Sequence, residues 1–207
     1  LDLNDQPVAN IAWQDAALFC NWLSEKENLP KFYNVVGDRV TSINWDSNGY
    51  RLPTESEWSW VAKVTKAGST KVFPWNSPSY PPPFVSGNYA DESAKSMLPF
   101  TISNYNDSFP VSASVGSFRP NEKGIFNLSG NVAEWVNDFY EIRVNKSEPL
   151  VDYRGPNTGN RHVIRGASWA LGSRSELRLS YREPGNNGKI DVGFRIARYV
   201  DKPKGDL

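Results

Sequence analysis

From Val72 to Asn121, about a quarter of the 207-residue chain, the sequence keeps neither a helical nor a strand period. Inside that stretch "PWNSPSYPPPF" carries five prolines, Pro74, Pro78, Pro81, Pro82 and Pro83. Each removes a backbone donor and fixes φ, so the segment can be neither a continuous helix nor a central strand. An irregular run of this length inside a compact domain needs something to fix it, or it is itself functional. Whatever fold the chain adopts must hold a long loop in place.

The flanks are more regular. "NIAWQDAALFCNWLSEKENLP" sets Ala16, Phe19, Cys20 and Leu23 at helical spacing, with Pro30 as a stop. "YRLPTESEWSWVAKVTKAG" pairs Thr54 with Glu57 as a capping box, puts Trp58, Val61, Ala62 and Thr65 on one face and offers Gly68 as a C-cap. Between them, short β-like runs are broken by Gly37 and by a tight-turn signal at Asn48-Gly49. Later, "SASVGSF", "AEWVNDFY", "HVIRGASW" and "LRLSYRE" read as short strands, and "VGFRIARYV" as a final buried one. Helices among short strands without βαβ order indicate an α+β fold in one domain.

Lys plus Arg and Asp plus Glu both number 23, so the balanced charge gives no footprint for nucleic acid. No apolar run is long enough to span a bilayer. Eight tryptophans point to a core built on large rings. One cysteine, Cys20, and one histidine, His162, exclude an internal disulfide, a Cys/His zinc cage, a three-histidine iron site and a two-cysteine copper site built from this chain alone. Cys20 falls on the apolar stripe of the first helix, and His162 reads as a strand-end or loop residue.

Several segments occur in one order: "PVANIAWQDAALFCNWLS", "GYRLPTESEW", "FPWN", "SVGSFRPNEKGIFNLSGNVAEWVNDFY", "VIRGASW" and "DVGFRIAR". Together they resemble the formylglycine-generating enzyme, or sulfatase-modifying-factor, family from about Pro7 to Arg198. The resemblance implies an irregular α+β fold related to C-type-lectin-like folds, low in regular secondary structure. It also implies a single domain over residues 1–207 lacking an N-terminal portion that family domains usually carry.

Two calcium sites are implied by the same resemblance. One maps onto Asn127, the Gly130 and Val132 carbonyls and Glu134; the other onto Asn88, the Tyr89 carbonyl, Asp107 and the Phe109 carbonyl. Read without the family, these are a capped turn and an Asx turn. Their oxygen chemistry suits calcium, which takes about six to eight hard oxygen ligands.

The family's oxidative chemistry needs two cysteines holding copper. Leu171 stands at the first position and Arg174 near the second, so formylglycine synthesis is not expected, and neither copper, iron nor zinc is. Ala133 replaces a tryptophan that walls the family's cleft, which implies a more open cleft. Ser168, Trp169, Leu171, Arg174, Glu176 and Arg178 form the candidate ligand cleft. Arg51, Glu57, Arg165 and Arg195 are instead read as buried ion pairs. The expected function is a non-catalytic, calcium-stabilised module in a bacterial envelope, periplasm or extracellular setting, binding a peptide, protein or glycan. The alternative is a metal-dependent oxidase or sulfoxide synthase whose ligands come from a missing segment or partner chain. Asn127 and Asn145 also match glycosylation sequons.

Overall fold

The capping box forms as the spacing predicts. Thr54 Oγ1 accepts from Glu57 N (3.1 Å), Glu57 Oε2 accepts from Thr54 N (2.8 Å), and helix α2 runs Glu55–Lys63. The structure, a computed structural model, describes residues 4–142 and 152–200, so the sequon at Asn145 lies outside the described residues. The helix stops at Lys63 because Val64 turns extended (ψ 123°) and Thr65 closes a loop with Ser69; Gly68 belongs to that loop and caps nothing.

Helix α1 spans Trp13–Lys26 and buries Trp13, Ala16, Ala17, Cys20, Asn21 and Ser24. The core stripe is therefore shifted from the one predicted: Phe19 is 41 % exposed and Leu23 only half-buried. Small side chains face inward because the helix lies close to its neighbours. The buried polar members have backbone partners, since Asn21 exchanges hydrogen bonds with both the N–H and the carbonyl of Tyr33, and Ser24 Oγ accepts from Tyr50 N.

Strands β1 (Tyr33–Val36) and β2 (Arg39–Ile43) form a hairpin turning at Gly37, whose φ is 60°. Asn48-Gly49 makes no hairpin. A Cβ on Gly49 would lie 2.0 Å from the Pro30 carbonyl oxygen, so this glycine permits a chain crossing.

The central sheet has the order β5-β4-β3-β6, with β3 Ala133–Phe139, β4 His162–Arg165, β5 Arg182–Gly185 and β6 Val192–Phe194. β3 pairs antiparallel with β4 and parallel with β6. Its residues are buried on both faces through Asp138, as a central strand between two layers should be. Ala133, Trp135 and Ile164 face α1, while Val136 and Val163 face Trp58 and Ala62 of α2. "SASVGSF" is not a strand. Asn131 supplies the missing partner, its side chain bonding both the N–H (2.8 Å) and the carbonyl (2.9 Å) of Ala113.

The long irregular stretch holds only a short 3₁₀ turn, Glu92–Ala94, among the described residues. Its own hydrophobic cluster of Phe73, Trp75, Tyr89, Ile102 and Tyr105 anchors it to Ala167 and Leu177. Ion pairs tie the layers as the sequence suggests. Arg51, 1 % exposed, is bidentate to Glu57 (2.6 and 2.7 Å), and Arg182 is bidentate to Glu55. Arg165 lies 3.5 Å from Glu55 and donates to the carbonyls of Leu179, Ser180 and Tyr181.

Candidate cation site and ligand surface

The two calcium sites suggested by the sequence have different geometries. Asn127, Gly130 and Val132 do share one turn, where Gly130 takes φ 107° against the Asn88 backbone. Glu134, however, is already engaged. Its carboxylate accepts from Trp58 Nε1 (2.8 Å), Arg195 Nε (2.6 Å) and Arg195 Nη2 (2.5 Å), and the residue is only 4 % exposed. A guanidinium matches that charge, and a divalent cation placed beside it would be repelled. This residue set does not fit calcium.

The Asn88–Asp107 set fits better. Asn88 is fully buried, its Nδ2 donates to the Val111 carbonyl (2.7 Å), and its Oδ1 has no hydrogen-bond partner. An orphaned buried amide oxygen is costly unless something fills it. Asp107 accepts one backbone N–H on each oxygen, from Tyr89 (3.0 Å) and Phe109 (2.9 Å), so each oxygen keeps further acceptor capacity. Burial, with the neighbouring Asp91 carboxylate, pushes the Asp107 carboxyl up to about 7. Asp91 is a residue the sequence reading missed; it is fully buried, caps the 3₁₀ turn and accepts from Asp107 N. Its signal was the Asp-x-Ser capping pattern at Asp91–Ser93. No cluster of three or more acidic, His or Cys side chains able to hold a metal occurs among the described residues, so a cation here would rely on amide and carbonyl oxygens for most of its shell.

The six residues predicted to form one cleft separate into three groups. Ser168 is fully buried, and its Oγ donates to Asp191 Oδ2 (2.6 Å), so it joins β-sheet loops and lines no cleft. Trp169 is 4 % exposed, and its indole N–H has no acceptor among the described residues. Leu171 packs on the aromatic cluster of Phe73, Trp75 and Tyr89, and its carbonyl accepts from Ala90 N. Glu176 is half-buried and caps a local turn by accepting from Ser173 N (2.9 Å). Only Arg174 and Arg178 face solvent; with Val72, Phe73 and Pro78 they line a shallow depression of about 680 Å³. Ala133 opens no cleft, being 3 % exposed within the core beside Trp135 and Val192.

The sulfur chemistry is equally plain. Cys20 is fully buried in α1, and burial pushes its thiol up to about 12. A thiol in that state is neither a nucleophile nor a ready metal ligand. Of the strand-end and loop placements open to it, His162 takes the first: it opens β4 and is buried.

Residues 2–200 match the sulfatase-modifying factor enzyme 1-like domain family. The chain belongs to that family. It is 28 % identical to the formylglycine-generating enzyme of Streptomyces coelicolor, over 97 % of this chain and 55 % of that protein. It is also 28 % identical to the inactive C-alpha-formylglycine-generating enzyme 2 of Mus musculus, over 98 % of this chain and 59 % of that one. The chain thus spans little more than half the length of these curated relatives. Among solved structures, Treponema denticola variable protein 1 superposes with a TM-score of 0.74 at 28 % identity, covering 96 % of this chain and 72 % of that chain. PvdO from Pseudomonas aeruginosa superposes with a TM-score of 0.68 at 22 % identity, over 95 % of this chain and 63 % of that one, a likeness of fold. The irregular α+β architecture read from the sequence is the architecture of these neighbours. No helix among the described residues is long and apolar enough to cross a membrane.

Proposed function

We propose that this domain is a non-catalytic member of its family, a calcium-stabilised module that binds a partner through the Arg174–Arg178 surface. The observation that carries the reading is Leu171. An aliphatic side chain packed on Phe73 and Trp75 stands where the family's chemistry calls for a redox sulfur, and the chain's single thiol is buried in a helix on another core cluster. Relatives named as inactive support it.

Calcium would be held by Asn88 and Asp107 with nearby carbonyls. Its chemistry there would be structural: it would neutralise the Asp107–Asp91 carboxylates and occupy the orphaned Asn88 oxygen. At about 100 times its dissociation constant it would add about 2.7 kcal/mol to stability. In this reading the domain works in an extracytoplasmic bacterial setting; a bacterial relative such as that of Streptomyces coelicolor is in keeping with the source. At the surface, Arg174 and Arg178 flank an apolar floor, an arrangement suited to an acidic group on a peptide, protein or glycan.

Oxygen consumption with added copper and a cysteine-containing peptide tests the absence of catalysis, and sustained turnover would overturn it. Melting temperature in calcium against EDTA tests the ion, with Asp107→Asn expected to abolish the difference.

A further inference from the structure

A larger cavity, about 750 Å³, opens where β2, the end of β3 and residues 154–157 meet. Among the described residues it shares no lining residue with the Arg174–Arg178 depression or the Asn88–Asp107 region. Its volume suits a small organic ligand, for which sites run about 300–1,000 Å³.

One wall is a stack of rings. Trp13 and His162 lie 3.6 Å apart between centroids and within 7° of parallel, and Phe139 covers the other side of His162 at 4.3 Å. His162 Nδ1 sits 3.2 Å from the Asn137 carbonyl, and burial pulls the imidazole down to about 4, so it is a neutral part of this wall at neutral pH.

The charge pattern is one-sided. Among the described residues Arg154 is the only charged side chain lining the cavity, and none of them brings a carboxylate to it. Its guanidinium carbon lies 4.3 Å over the Trp45 ring, and the residue is half-buried. No carboxylate or carbonyl among the described residues accepts from it. Stacking fixes the plane of a guanidinium and leaves its in-plane N–H donors open. A partly desolvated cation with fixed, unused donors calls for an anion.

We propose that this cavity is a binding site for a small aromatic carboxylate, whose anionic group pairs with Arg154 and whose flat body packs against Phe139 at the end of the ring stack. The site is independent of the Arg174–Arg178 surface, and it stands or falls separately from the reading above.

The test is tryptophan fluorescence titration of the full chain with 2-naphthoate and, in parallel, with uncharged 2-naphthamide. Naphthoate should bind saturably, and at least about tenfold more tightly than naphthamide, roughly 1.4 kcal/mol. Arg154→Met should remove that advantage, bringing the naphthoate affinity down to that of naphthamide while leaving the melting temperature unchanged. Asn157→Trp, on the exposed rim, should block both probes. The proposal is overturned if naphthoate shows no saturable binding up to its solubility limit, if the two probes bind equally, or if Arg174→Met rather than Arg154→Met abolishes the response.

Discussion

Replacing Glu134 by Gln separates the two roles available to that residue. The wild-type carboxylate takes three hydrogen bonds, two of them from Arg195, with side chains 5 % and 27 % exposed respectively. Glutamine keeps an oxygen for Trp58 Nε1 but leaves the guanidinium without its counter-charge. Breaking a fully buried pair costs about 3–5 kcal/mol. Arg195 keeps about a quarter of its side-chain exposure and recovers some hydration, so about 2–3 kcal/mol is the expected loss. In a domain of this size each kcal/mol moves the midpoint about 2–4 °C, giving a fall of about 4–12 °C. Thermal denaturation by circular dichroism reads it, in calcium and in EDTA alike. Arg195→Met should cost a similar amount by stranding Glu134, and the Glu134→Met/Arg195→Met double variant should lose less than the sum of its parts. The reasoning fails if Glu134→Gln erases a calcium-dependent stabilisation while Arg195→Met leaves the midpoint where it was, because Glu134 would then serve a metal.

Two further outcomes follow from buried groups. Asp138 is 2 % exposed, and burial pushes its carboxyl up to about 7, with Glu55 and Glu57 adding to the shift. A raised folded-state value means the native state binds the extra proton, so its contribution is present below about pH 4 and is lost as pH rises through 7. Asp138→Asn should therefore gain stability relative to wild type across that window in EDTA, and a flat difference in midpoint between pH 4 and 8 would refute this. Gly49→Ala should be strongly destabilising, since its Cβ meets the Pro30 oxygen at 2.0 Å; a loss of at least about 1–3 kcal/mol by urea denaturation is expected, and a neutral result would mean that crossing is looser than described.

What was legible in the sequence was local chemistry. The Thr54–Glu57 box, the break between two short strands at Gly37 and the ion-pair character of Arg51, Arg165 and Arg195 each follow from a few neighbouring residues or from an unusual charge within an apolar run. What was not legible depended on partners distant in the chain. Asn21 reads as polar helix surface until Tyr33 arrives to pair with it. Asn131 reads as a turn residue until it takes the place of a strand beside Ala113. Glu134 had the right company for a metal, and only Arg195, far along the chain, reveals another use. Ser168 and Arg174 are near in sequence, yet one is sealed beneath the surface and the other stands on it. The stack of His162 between Trp13 and Phe139 had no local signal at all.

The parallel seam between β3 and β6 has an implication for biosynthesis. Val192 pairs with Ala133, and Asn10 N is held by the carbonyls of Lys189 and Val192, so the front, middle and rear of the domain are stitched at one corner. Such distant pairings close late. A polypeptide halted before Val192 would present β3 with a bare hydrogen-bonding flank, a template on which stalled copies join one another.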